Sequence, residues 1–152
     1  MAIWTKEGFS ISTNKEFLDI DLIFHFLSLD AYWSKGIPKE TVIKSIMNTH
    51  LCFGVYKGEL GKHSVEQVGF ARVITDLATY AYLCDVFVKP DYRGLGLSKW
   101  LMNIITAYPE LQGIRRFMLA TNDAHLLYQK FGFEQINNPE LFMQKVHKAP
   151  YQ

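Results

Sequence analysis

The spacing of apolar residues changes period several times along the chain, and each change marks an element. Residues 8–12 (GFSIS) alternate weakly and predict a short strand. From Asn14 onward Phe17, Ile20, Phe24 and Leu27 recur at helical spacing, with Ser12, Thr13 and Asn14 as candidate N-caps. Gly36 interrupts this pattern. Pro38 then suits the first turn of a second helix whose apolar stripe is Val42, Ile43, Ile46 and Met47. Residues 51–56 (LCFGVY) predict a strand, and the polar segment Lys57–His63 a hairpin connection. A further strand over about 65–75 places Phe70, Arg72 and Ile74 on one face, and an apolar one follows over about 80–88.

Pro90 closes that strand, and Asp91–Leu97 is a loop with two glycines. Leu97, Leu101, Ile104, Ile105 and Tyr108 then give the clearest helical stripe in the chain, stopped by Pro109. Phe117–Ala120 predicts a short strand. Asp123 is placed to cap a helix carrying Ala124, Leu127, Tyr128 and Phe131, with Gly132 just past its end. Phe133–Gln135 and Leu141–Val146 are the last extended pieces, joined by a turn around Asn137–Pro139. The order is β-α-α-β-β-β-α-β-α-β(-β). This is a mixed α/β (α+β) chain, read as a single domain over residues 1–152 without repeats or linkers.

Composition narrows the function more by exclusion than by suggestion. With 152 residues, 16 Lys+Arg against 15 Asp+Glu, and a net charge of +1, the chain lacks the basic surplus of a nucleic-acid or anionic-membrane binder. The most apolar stretch, Ile20–Leu29, is broken by Asp21 and His25 and is too short to span a bilayer. The first ten residues show no secretory pattern, so the expectation is a cytoplasmic protein with Cys52 and Cys84 reduced. The five histidines form no HxH, HxxxH or Cys/His spacing, and no metal is expected.

The chemistry is concentrated in Val86-Phe87-Val88-Lys89-Pro90-Asp91-Tyr92-Arg93-Gly94-Leu95-Gly96-Leu97-Ser98. A buried strand runs into a glycine loop and then into a helix whose start carries small residues. Backbone amides can approach a ligand closely there, and a helix N-terminus favours negative charge, so the segment reads as a phosphate or pyrophosphate cradle. GxGxxG does not fit, because the third glycine would fall at Lys99, and no GxxxxGK[ST] string exists. Arg93, Gly96 and Ser98 instead match (Q/R)-x-x-G-x-(G/A), with serine standing where glycine or alanine is usual. Leu127-Tyr128-Gln129-Lys130-Phe131-Gly132-Phe133 is similar to a second element, LYxKxGF. On these two motifs, in this order, the chain resembles the GCN5-related N-acetyltransferase (GNAT) superfamily, and the element order agrees over nearly its whole length.

The resemblance implies acetyl-CoA as acetyl donor, held between the strand at Val86–Val88 and its parallel neighbour near 117–120. Amides over Gly94, Leu95, Gly96, Leu97, Ser98 and Lys99 would take the pyrophosphate, and Val86 and Val88 the pantetheine arm. An N–H near Phe87 or Val88 would stabilise the oxyanion of a direct transfer to a primary amine, with a small molecule as acceptor. Asn122 and Lys130 would touch the CoA arm or its phosphates. Tyr128 matches the family's general acid, and Asp85 is the candidate general base, directly or through water, or else a structural carboxylate. Cys84, inside an apolar strand, reads as core and not as a nucleophile. Tyr32, Trp33, Arg72 and Tyr82, with Phe70 and Tyr80 nearby, fall where the family shapes its acceptor site, and Arg72 suggests a substrate carboxylate. They serve equally well as core residues. Homodimers are common in the family, an expectation that rests on the resemblance alone. The alternative is a non-catalytic acyl-CoA-binding or sensor module on the same fold.

Overall fold

The computed structural model describes residues 1–151. Six strands form one sheet in sequence order: β1 (Ile3–Lys6), β2 (Phe9–Ser12), β3 (Leu51–Lys57), β4 (Glu66–Thr75), β5 (Tyr80–Val88) and β6 (Arg116–Leu119). Neighbours from β1 to β5 are antiparallel, and β5 and β6 are parallel. Helices α1 (Ile20–His25) and α2 (Lys39–Met47) precede β3, α3 (Leu97–Thr106) carries the crossover from β5 to β6, and α4 (His125–Gln129) follows β6.

Two cores lie on the two faces of the sheet. On one, Phe53, Val55, Ala71, Val73 and Leu83 meet Leu97, Leu101, Met102 and Ile105 of α3, with Tyr128 of α4 at the margin. On the other, Ile23, Phe26, Leu27, Val42 and Ile46 cover Cys52, Phe70 and Phe87. Phe26 stacks on Phe87 with ring centroids 4.0 Å apart, tying the helical arm to β5. Strand alternation produces the division: Phe53 and Cys52 are neighbours in β3 and face opposite layers.

Three expectations need correction. The N-terminus is a hairpin and not one strand, with Glu7 (φ 49°) and Gly8 (φ 84°) forming the two-residue turn between β1 and β2. Both φ values are positive, the backbone of a turn that matches strand twist. The helix expected from Asn14 is divided. A single 3-10 turn, Lys15–Phe17, is followed by extended Leu18, and α1 starts only after Asp19, whose Oδ1 accepts from the Leu22 N–H at 3.1 Å. The helix then widens into a π-helical turn over Phe26–Asp30. The third correction concerns the C-terminal end. Phe133–Gln135 and Leu141–Val146 join no sheet, and β6 is the last strand among the described residues.

Smaller differences follow from packing. In α2 only Val42 and Ile46 are buried, whereas Met47 lies in solvent. α3 ends at Thr106, so Tyr108 leaves the helix and packs edge-on against Phe53 at 5.6 Å. No side chain caps α4, Asp123 included; the Thr121 hydroxyl instead accepts from the N–H groups of Asp123 and Ala124 in the turn that leads into it. Gly132 does follow α4 with positive φ, as its position suggested.

Candidate active site

The site begins as a fault in a strand. Arg72 pairs with Cys84 and Phe70 with Phe87, so Asp85 and Val86 together stand opposite the single residue Ala71. This is a β-bulge, and its first residue, Asp85, has φ 55°. Bulges bend a strand, and here β5 leaves β6: their pairing ends at Leu83 opposite Leu119. Past that point the two parallel strands splay into a cleft of about 280 Å3, lined among others by Tyr82, Asp85, Val86, Leu119, Thr121 and Tyr128. The Lys89 N–H donates to the Val68 carbonyl on β4. Backbone groups alternate in an antiparallel strand, so those of Val86 and Val88 face the β6 side, toward the cleft. The Val88 carbonyl is already taken by Arg93 Nε at 3.0 Å.

The glycine loop continues from this strand end. A 3-10 turn over Pro90–Tyr92 is followed by Gly94 (φ 82°) and Gly96 (φ 79°), the latter at the N-cap of α3 in left-handed conformation. A Cβ at either glycine would meet no atom within 4 Å. They are therefore demanded by backbone conformation, and they leave open space in front of the helix. No side chain caps α3. Its first N–H groups, at Leu97, Ser98 and Lys99, have no intrahelical acceptor and point toward that space. Open space, uncapped amides, positive helix dipole and the adjoining cleft together fit a pyrophosphate joined to an extended arm.

Tyr128 stands on the cleft wall, 8% exposed, with its hydroxyl pushed up to about 12 chiefly by burial and further by Tyr32 and Asp123. At neutral pH it keeps its proton. Asp85 is held from two sides: Trp33 Nε1 donates to Oδ1 at 3.0 Å and Arg72 Nε to Oδ2 at 2.9 Å. Arg72 also donates through Nη1 to the Thr49 hydroxyl at 3.0 Å. Its Nε–H and one Nη1–H are thus committed to the protein, and Arg72 does not line the cleft, which removes the argument for a substrate carboxylate there. Cys84, expected in the core, is half-buried and lines the cleft, outside both cores; burial still raises its thiol to about 12, so it stays protonated.

The π-helical turn delivers Tyr32 and Trp33 across the open end of the cleft. Trp33 reaches Asp85 on one lip, and the Tyr32 hydroxyl accepts from the Asn122 N–H on the other at 2.9 Å. These residues, 47% and 43% exposed, form a strap over the splay. Of the residues singled out from sequence, the cleft gathers Tyr32, Trp33, Tyr82, Asp85, Val86, Asn122 and Tyr128. Arg72 stands behind it through Asp85. Phe70 and Phe87 are buried in the α1/α2 core, Tyr80 donates to Met118 Sδ, and Lys130 lies exposed beyond α4. Two contributors were missed. Thr49 has no sequence signal, being brought to Arg72 only by the fold. Thr121 had one, a hydroxyl two residues before Asp123 and suited to the turn it forms at the cleft wall.

An Acetyltransferase (GNAT) domain model matches residues 49–135, which contain the bulge, the glycine loop and Tyr128. The chain belongs to the GNAT family. A crystal structure of a GNAT-family candidate acetyltransferase from Xanthomonas campestris shares 46% identity, with a TM-score of 0.87 over 97% of this chain and 99% of that one. A candidate acetyltransferase of Gibberella zeae is 32% identical over 142 residues, 84% of this chain and 79% of the relative. One from Deinococcus radiodurans, at 16% identity and TM-score 0.69 over 93% of this chain and 89% of that one, shares the fold. This GNAT chain is accordingly an acetyltransferase by family. Among the described residues no helix is long and apolar enough to cross a membrane.

Proposed function

We propose that the chain is an acetyl-CoA-dependent N-acetyltransferase that passes the acetyl group directly to a primary amine of a small molecule. The observation carrying this reading is the cleft: a splay between two parallel strands that joins uncapped helix amides at one end to a buried, protonated tyrosine at the other. Acetyl-CoA, when bound, supplies the activated thioester. The amides of Gly94 to Lys99 take the pyrophosphate charge. The backbone groups of Val86 and the Val88 N–H face the arm, and an N–H of the bulged segment is placed to accept developing charge on the carbonyl oxygen.

Tyr128 donates to the sulfur that leaves. A phenol at about 12 is a weaker acid than a free thiol near 8.5, so its part is a hydrogen bond that strengthens as negative charge collects on sulfur. The proton released by the amine goes to water or to Asp85. Each oxygen of Asp85 already accepts one bond, and its remaining lone pairs orient the amine or that water. The strap limits the acceptor to a compact amine, and aromatic walls at Tyr32, Trp33 and Tyr82 with two carboxylates, Asp85 and Asp123, favour an apolar body carrying a cationic head.

The test is CoA-thiol release across a panel of small primary amines, with Tyr128→Phe beside the native chain. Turnover on at least one amine is expected, and the variant should lose about 10²–10⁴-fold in kcat with donor affinity nearly unchanged. Acetyl-CoA binding without release on any amine would favour a non-catalytic sensor, and a near-normal rate in Tyr128→Phe removes that side chain from the chemistry.

A further inference from the structure

Behind the cleft wall a chain of hydrogen bonds leads away from Asp85 into the helical layer. It starts at Thr49, which lies just past the end of α2 and is 4% exposed. The last carbonyls of a helix have no donor within it, and Thr49 supplies two of them. Its N–H donates to the Ile46 carbonyl at 3.3 Å and its hydroxyl to that of Ser45 at 2.6 Å. With its proton committed to Ser45, the hydroxyl offers its lone pairs elsewhere, and Arg72 Nη1 donates to it at 3.0 Å. Arg72 Nε continues to Asp85 Oδ2 at 2.9 Å, and Trp33 Nε1 closes on Oδ1 at 3.0 Å. Four side-chain bonds thus join α2 to the strap.

Two of these bonds leave one guanidinium, and that fixes a plane. A planar group held at Nε alone can swing about that bond; held at Nε and Nη1 together it cannot. Arg72 has no ready substitute for the Thr49 hydroxyl. Its register partners on β3 and β5 are Cys52 and Cys84, whose sulfurs are weak acceptors. At the other end of the chain, Asp85 stands in a bulge at positive φ, and Trp33 belongs to an exposed segment after the π-helical turn. The firm end is therefore α2.

We propose that Thr49 is a positioning residue for the acceptor amine: through Arg72 it sets the plane of the Asp85 carboxylate on the cleft wall. Thr49 does not itself line the cleft and acts only through the guanidinium. The role rests on the acetyl-transfer reading of the cleft, in which Asp85 orients the amine or its water; the bond network does not. Reacting groups tolerate little displacement, and a shift of about 1 Å caused from a distance can cost about 100-fold in rate.

Thr49→Val keeps the branched shape and removes the hydroxyl, whereas Thr49→Ser keeps the hydroxyl and removes the methyl. On an amine that the native chain acetylates, the valine variant should lose about 10–100-fold in kcat/KM for the amine, with KM for acetyl-CoA unchanged, and the serine variant should behave as native. In nitrogen–proton correlation spectra the Trp33 indole N–H peak, identified by its loss in Trp33→Phe, should move and exchange faster with valine and stay in place with serine. Native amine kinetics or an unmoved Trp33 peak in Thr49→Val overturns the proposal, and so does a serine variant as impaired as the valine one. Absence of CoA release on any amine by the native chain fails the acetyl-transfer reading instead, and the indole peak then decides alone whether Thr49 positions Asp85. Should Thr49→Val not fold, Arg72→Lys takes its place: the charge stays, the two-point grip is lost, and native amine kinetics in that variant overturn the proposal.

Discussion

Asp85 combines two demands that substitution can separate. Its backbone sits at φ 55°, which asparagine tolerates about as well as aspartate and alanine does not. Its carboxylate, 11% exposed, neutralises Arg72, itself 15% exposed. Asp85→Asn keeps the backbone preference and an acceptor for Trp33, but turns an amide toward Arg72 or leaves the guanidinium facing a neutral oxygen. Losing one partner of a buried pair costs about 3–5 kcal/mol, and retention of the Thr49 and Trp33 bonds favours the lower end, about 3 kcal/mol. Asp85→Ala adds about 1–2 kcal/mol for left-handed backbone and about 1 kcal/mol for the lost indole bond. Urea unfolding followed by circular dichroism should therefore rank native, Asn and Ala in that order. At about 2–4 °C per kcal/mol for a chain of this size, Tm should fall by about 6–12 °C in the first variant. An Asp85→Asn chain within 0.5 kcal/mol of native would refute the account of the ion pair, and equal stability of the two variants that of the backbone.

Gly96→Ala meets no atom but must hold φ 79°, so Tm should drop by a few degrees while KM for acetyl-CoA rises about tenfold; an unchanged KM would separate this residue from donor binding. Burial raises Cys52 to about 11 and Cys84 and Tyr128 to about 12, so the native chain holds these protons more tightly than the unfolded one. That contribution is complete below the unfolded thiol value and is lost as pH climbs toward 12, so Tm should decline above about pH 9 and decline less after both cysteines become alanine. Gly54→Ala should be strongly destabilising by thermal melt, because a Cβ there collides with the Tyr56 ring, whose buried hydroxyl has no hydrogen-bond partner. A Tm within 1 °C of native would show that the ring can move aside.

The legible parts of the sequence were those set by local rules. The α3 stripe, the glycine loop and the apolar strands β3 and β5 need only near neighbours to declare themselves. Asp85 was visible as an acidic residue in an apolar run, yet the bulge beneath it depends on β4 register and leaves no local trace. Trp33 and Tyr32 read from sequence as acceptor residues, but which lip each joins is fixed by partners 52 and 90 positions away along the chain. Leu141–Val146 shows the limit from the other direction: its pattern predicts a strand, but the fold sets no neighbour beside it and no strand forms.

The strap has an optical consequence. Trp33 is fixed to one lip by its indole N–H and remains 43% exposed, whereas Trp4 is packed between Phe53 and Tyr108 in the opposite layer. Any occupant that spreads β5 from β6 pulls on Asp85 and on Tyr32 together and changes what surrounds that one indole. The molecule thus carries a native fluorophore on its own hinge line; once Trp4 and Trp100, the latter half-buried in the first turn of α3, are replaced by phenylalanine, cleft width can be followed as its emission, without a label and before any product forms.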